Sequence, residues 1–299
     1  MDTRRTLLVD AFTAEPLAGN PAGLVPDAEG LSDEQMQAVA RELNASETAF
    51  LLPSVEADRR IRYFTPAREV DLCGHATIAA HVHLAAEGDI EPGAHTLETN
   101  VGVLDIEVEE DGTVWMTQTV PEVESVEVEY RDLAEALGCA VEALTELADD
   151  LPVARASTGA PYLVVPVNFL SALGGMDPDM AAVEALSDDY DVDGVYAFTF
   201  DTLSADATLH ARMFAPAYGV PEDPVTGTAS GACGAYLARM GALDTAEMTF
   251  EQGHFCDRPG RVRVRATSAE PPQVGGRATV AFDGTLVVPP RESDDILEA

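Results

Sequence analysis

The segment Arg62-Tyr63-Phe64-Thr65-Pro66-Ala67, running on to Cys73-Gly74-His75-Ala76-Thr77, has a counterpart in Arg212-Met213-Phe214-Ala215-Pro216-Ala217, running on to Asp223-Pro224-Val225-Thr226-Gly227-Thr228. Counted from each Phe, Cys73 and Asp223 both stand nine residues on, and both copies continue into small residues ending in Leu-Ala. A half-chain repeated with a proton-active residue at matching places predicts two similar domains with a site built between them. The competing reading is chance recurrence of a short apolar word.

Working outward, Thr6 to Phe12 reads as a buried strand, Gly19 to Gly23 as a turn and Leu24-Val25 as the next strand. Ser32 caps a helix over Asp33 to Leu43 with acids in its first turn, and Thr48 to Leu52 and Arg60 to Phe64 are strands. Cys73 sits at the turn opening a helix that runs to about Ala86. Val101 to Val108 and Thr113 to Thr119 alternate around Asp111-Gly112 as a hairpin. The second half repeats this order. Ala156 to Val167 is strand-turn-strand, Pro178 to Leu186 a helix, Val195 to Phe200 and Leu209 to Phe214 strands, and Thr228 to Met240 the second helix. Arg261 to Arg265 and Arg277 to Val288 close the chain as strands. The acidic segment Glu122 to Glu129, followed by a short helix over Leu133 to Leu137, marks the boundary region.

The chain has 299 residues, room for two domains, and a 46% hydrophobic fraction that is ordinary for a globular protein. With no apolar run of membrane-span length and no apolar leader after Met1, the reading is a cytoplasmic protein. Cys73, Cys139, Cys233 and Cys256 stand far apart, which suggests neither a zinc cluster nor a disulfide framework. The formal charge is −36, from 53 acids and 17 basic residues that are all Arg. Charge of that size suits a salt-rich cytoplasm, where screening shortens repulsion to a few ångströms, and disfavours nucleic acid or an anionic membrane as partner.

Gly74-His75-Ala76-Thr77 and Thr226-Gly227-Thr228-Ala229 place small residues at helix starts, where unpaired N–H groups can hold a carboxylate. Tight core packing is the plainer explanation of those small residues. Glu47, between a helix end and an apolar strand, is partly desolvated and suited to exchange a proton; the alternative is a surface Glu at a helix terminus. His75, His81 and His83 do not share a helix face, so no metal site is expected from them. A dinucleotide turn, a phosphate loop and a nucleophile elbow are absent.

Together VDAFTAEPLAGNPAGLV (9–25), NASETAFLL (44–52), RYFTPAREVDLCGHATIAA (62–80) and MFAPAYGVPEDPVTGTASGA (213–232) resemble the phenazine-biosynthesis PhzF-like family, which is similar in fold to diaminopimelate epimerase. The resemblance implies an α/β (α+β) fold of two pseudo-symmetric domains, each a curved, mainly antiparallel sheet wrapped around a central helix. These would cover residues 1–125 and 126–277, with a strand at 278–290 returning to the first. It implies a homodimer, an active site between the domains, and neither metal nor organic cofactor. Glu47 resembles the family's acid/base and Asp223 its acidic partner. Gly74 and His75, with Asn20, resemble substrate-contacting residues, and Gly227 and Thr228 the anion-binding turn. Thr228 stands where Ser is commoner, and Cys73 where the phenazine enzyme has no thiol.

The function expected is a cofactor-independent isomerase or epimerase moving a proton on a small carboxylate-bearing substrate. Two mechanisms stay open: two bases, Cys73 and the Asp223 side acting on opposite faces, or Glu47 alone shuttling a proton along one face. A non-catalytic carboxylate-binding or protein-interaction module on the same fold is the alternative from another class. A Cys73–His75 hydrolase is disfavoured because neighbours two apart at a helix start rarely face each other.

Overall fold

In the computed structural model residues 2–267 and 270–290 are described; Glu292-Ser293-Asp294-Asp295, the one stretch of the sequence that reads as an acidic tail, lies outside them. The chain divides into two units, one of Met1–Leu17, Pro21–Val114 and Arg277–Ala299, the other of Ala18–Asn20 and Trp115–Gly276.

The first unit holds β1 (Asp2–Ala11), all of β2 (Asn20–Val25) but its first residue, α1 (Asp33–Leu43), β3 (Thr48–Leu52), β4 (Arg59–Phe64), β5 (Glu69–Val70), α2 (Gly74–Glu87), β6 (Gly93–Thr99) and β7 (Gly102–Val108). The strand Ala278–Val288 pairs antiparallel along the whole of β1, from Asp2 opposite Val288 to Ala11 opposite Ala278. Strands β3 and β4, β4 and β5, and β6 and β7 are antiparallel, while β2 runs parallel to β3 and β4 to β6. Strand alternation sends neighbours to opposite faces. Phe50 and Phe64 pack with Met36, Val39 and Ala40 of α1, whereas Tyr63 turns to α2 and meets the Thr77 hydroxyl at 2.5 Å.

Helix α1 is amphipathic and begins with a capping box, in which Ser32 and Gln35 satisfy each other's backbone N–H groups. Helix α2 differs. Ala76, Thr77, Ile78, Ala79, Ala80, His81, His83 and Leu84 are all buried, so the helix is enclosed around most of its circumference.

The second unit repeats the plan with β8 (Val114–Thr117), β9 (Glu122–Ser125), α3 (Tyr130–Leu137), α4 (Glu142–Thr145), β10 (Ala154–Ser157), β11 (Pro161–Pro166), α5 (Leu170–Gly174), α6 (Met180–Asp189), β12 (Val195–Thr199), β13 (Leu209–Ala215), β14 (Val220–Asp223), α7 (Gly227–Met240), β15 (Glu247–Gln252), β16 (Gly260–Arg265) and β17 (Gln273–Gly276). Strand β11 is parallel to β12, β12 antiparallel to β13, and β13 parallel to β15, matching the pattern of β2, β3, β4 and β6. Helix α7 is buried from Ala229 to Leu237, and α3 and α6 pack on the other sheet face against Leu163, Val195 and Phe214.

The acidic segment from Glu122 carries β9, which pairs with β10 and turns only Val123 inward. The two units are therefore mixed α+β folds, mainly antiparallel, each with a long buried helix.

Candidate active site

The unit that contains α2 brings Glu47, Cys73 and His75 together. Asn44, in the left-handed region at φ 52°, ends α1, and the chain turns back to start β3 at Thr48. The Glu47 carbonyl accepts the Gly23 N–H at 2.9 Å, which fixes Glu47 just ahead of the strand. Only glycine fits at 23, since a Cβ there would stand 2.5 Å from the Thr48 hydroxyl. The Glu47 side chain, 23% exposed, places a carboxylate oxygen 3.5 Å from His75 Nε2, and the Ser46 hydroxyl lies 3.4 Å from the same nitrogen.

His75 Nδ1 lies 3.4 Å from Cys73 Sγ, the uncommon arrangement for neighbours two apart at a helix start. The physical reason is that Cys73 is the N-cap of α2, with extended backbone at φ −143° and ψ 114°, so the rule for helix faces does not reach it. Its carbonyl is fastened by the Thr77 N–H at 3.1 Å and the Thr77 hydroxyl at 2.7 Å. No side chain caps α2, so the N–H groups of its first turn are left for solvent or a ligand, with the positive end of the helix dipole behind them. The carboxylate, imidazole and thiol donors lie within 4.8 Å of one another, a grouping the histidine spacing did not disclose.

In the other unit Asp223 ends β14, and its carboxylate accepts hydrogen bonds from neighbouring side chains. Asn20 Nδ2 donates to its Oδ1 at 2.9 Å and to the Val225 carbonyl at 2.9 Å, and the Thr226 hydroxyl donates to its Oδ2. Gln252 closes the turn: its amide NH₂ donates to the Asp223 carbonyl at 2.8 Å, and its oxygen accepts the Thr226 N–H at 3.0 Å. Asn20 is buried and spends its amide on this turn. Gly227 is buried and Thr228 half-buried, and α7, like α2, has no side-chain cap. Thr226 was read only as part of a helix-start segment, without a role of its own, and Gln252 was not singled out. Nothing local in sequence signals Gln252.

Thr226 has a signal in the repeat once the repeat is aligned by pairing. Arg62 forks onto Glu69 through two 2.7 Å bonds and lies over Phe64; Arg212 forks onto Glu222 at 2.9 and 2.8 Å and lies over Phe214. Tyr63 pairs with Val70, and Met213 with Asp223. Asp223 therefore corresponds to Val70, and Cys73, the N-cap of α2, to Thr226, the N-cap of α7. Seven positions separate Arg62 from Glu69 but ten separate Arg212 from Glu222, and a 3₁₀ turn at Pro216–Tyr218 lies in the longer link. Counting from Phe slips by those three residues. The equivalence of Cys73 and Asp223 is thereby corrected.

Comparison with known proteins agrees with this architecture. The model of the family described as phenazine biosynthesis-like protein, PhzC-PhzF, matches residues 9–284. An uncharacterized isomerase, YfhB, of Bacillus subtilis is 36% identical over 292 residues, covering 96% of this chain and 97% of that protein. The trans-2,3-dihydro-3-hydroxyanthranilate isomerase of Pseudomonas aeruginosa is 35% identical over 271 residues, covering 89% of this chain and 91% of that protein. Among solved structures, a PhzF-family phenazine biosynthesis protein of Bacillus anthracis superposes with a TM-score of 0.88 at 34% identity, covering 96% of this chain and all of the other. A hydroxyproline epimerase of Agrobacterium vitis shares the fold at a TM-score of 0.60 and 15% identity, covering 95% of this chain and 92% of the other.

Proposed function

This chain belongs to the phenazine biosynthesis-like (PhzC-PhzF) family and is an isomerase, and on that premise we propose that it moves a proton on a small carboxylate-bearing acid, with Glu47 as the acid/base and no cofactor. The observation that carries the reading is the contact of Glu47 with His75 at the uncapped start of α2. A carboxylate of the substrate would lie on the N–H groups of the first turn of α2, where the helix dipole favours negative charge. Glu47, ionised, takes a proton from carbon adjacent to that carboxylate or conjugated with it. The electron pair left behind spreads into the carboxylate, and the same N–H donors stabilise the added charge. Glu47 then returns the proton on the same face to a carbon further along the conjugated system, so atoms and charge balance. His75, whose Nε2 stands 3.5 Å from the Glu47 carboxylate, orients it.

The pairing register bears on the choice of mechanism. The two-base scheme rested on Cys73 and Asp223 being equivalent, and they are not. Asp223 is fixed by Asn20 and Thr226, an arrangement suited to orienting a polar substrate group. The single-face scheme with Glu47 as sole carrier is therefore the better supported.

The test is incubation of the full chain with a panel of small chiral and unsaturated acids in D₂O, followed by proton NMR. Migration or exchange of a single C–H next to or conjugated with a carboxylate is expected. Saturable binding of an acid with no hydrogen movement would favour a binding module, and water-dependent cleavage a hydrolase; either result refutes the proposal.

A further inference from the structure

We propose that Glu47, Cys73 and His75 also form a three-donor site for a thiophilic divalent cation of the zinc type. Their sulfur, nitrogen and oxygen donors come from two separate segments, Glu47 before β3 and Cys73 with His75 at the start of α2. Bonds of roughly 2.3 Å to sulfur and 2.0–2.2 Å to nitrogen and oxygen set tetrahedral ligands about 3.3–3.7 Å apart. The Glu47 oxygen stands 3.5 Å from His75 Nε2, Cys73 Sγ stands 4.0 Å from that nitrogen, and the whole set fits within 4.8 Å. A turn of the imidazole and an adjustment of roughly 1 Å close the set around one ion and leave a fourth position for water. Thiolate and imidazole donors select zinc and related metals over magnesium or calcium, which prefer all-oxygen shells.

Two features of the molecule support the site. Cys73 is 8% exposed and its backbone is locked by Thr77, so the sulfur is already positioned when an ion arrives. The formal charge of −36 concentrates divalent cations around the molecule. An ion held here would occupy Glu47 and withdraw it from proton transfer, so zinc would act as a reversible inhibitor; that consequence, unlike the binding itself, rests on the function proposed above.

The experiment uses the full chain after chelator treatment, titrated with Co²⁺ and read by ultraviolet–visible absorption without any substrate. One equivalent should produce a thiolate-to-cobalt charge-transfer band, and Zn²⁺ should displace it while Mg²⁺ should not. Cys73→Ser should abolish the band. Glu47→Gln and His75→Gln should keep a band but weaken binding at least about tenfold, the lower end of losses seen even for outer-shell changes. In the wild type, Zn²⁺ should selectively slow alkylation of Cys73, read by peptide mass, which keeps the proposal testable if a variant fails to fold. Absence of a band overturns it, as does a band that survives Cys73→Ser and so belongs to half-buried Cys139 or Cys256. Displacement by Mg²⁺ at matched ionic strength would assign the ion to the acidic surface and also overturn it. Because no arm involves turnover, a protein that binds cobalt but moves no proton fails the functional reading and keeps this one.

Discussion

Cys73 owes its surroundings to its backbone. Extended dihedrals at the N-cap swing the side chain out of helical register and onto His75, so a pair that helix geometry would separate meets at 3.4 Å. In the single-face scheme the thiol carries no proton, and Cys73→Ala is expected to lose far less than the roughly 10²-fold attached to removal of a general acid/base. Steady-state turnover of the two variants on one confirmed substrate checks this; a loss in Cys73→Ala as large as that of Glu47→Gln would restore a two-base mechanism. His81 offers a test that needs no substrate. Burial pushes its imidazole down to about 4, whereas an unfolded chain protonates it near 6.5. Between those values only the unfolded chain takes up the proton, so stability falls as pH drops through this window, by at most about 3 kcal/mol for this residue. Thermal unfolding from pH 6.5 to 4 should decline less steeply in His81→Gln than in wild type, and parallel profiles would contradict the assignment. The place of Glu47 at a helix-to-strand joint was legible in the sequence, while its role as acid/base came from the family resemblance and not from that place. The Cys73–His75 contact was not, because a cap residue obeys neither helix nor strand periodicity.

Helices α2 and α7 are the elements on which the chemistry depends. Each spans fourteen residues, each is buried on several sides, and neither has the side-chain cap that closes α1. Their burial requires small residues. A Cβ at Gly234 of α7 would stand 2.5 Å from a Val264 methyl of β16 and 3.3 Å from both Ala266 and Met248. Gly234→Ala is therefore expected to destabilise the fold, since overpacking costs about 1–3 kcal/mol and the helix propensity gained offsets at most about 1 kcal/mol. A lowered urea midpoint at unchanged slope is the expected readout; a raised midpoint would mean that the sheet yields. Helix α1 could be read from Ser32 and its periodic apolar residues alone. Strand β9 was hidden inside an acidic run, where a single inward Val123 gives too little alternation to register. The slip in the repeat arose from an extra turn, Pro216–Tyr218, which counting cannot see and the Arg–Glu pairs reveal.

For the molecule as a whole the dominant sequence feature is charge, and its consequence is a dependence on salt. With 53 acids against 17 arginines, like-charge repulsion opposes compaction at low ionic strength. The unfolding midpoint is expected to rise as KCl goes from about 0.1 M to above 1 M, where the screening length shrinks to about 3 Å. A flat or falling series would show that the acids are already balanced locally. Long-range pairing is the part of the architecture that local pattern does not encode: nothing in the periodicity of Ala278–Val288 says that it joins β1, the first strand of the chain. The central proposal is that Glu47 moves a proton on a bound small acid. Its most direct test is Glu47→Gln on the first acid found to react, with turnover and binding measured separately. Turnover is expected to fall at least about 10²-fold while the acid still binds, since shape is kept and only the titratable group is lost; near-normal turnover in Glu47→Gln would contradict the claim.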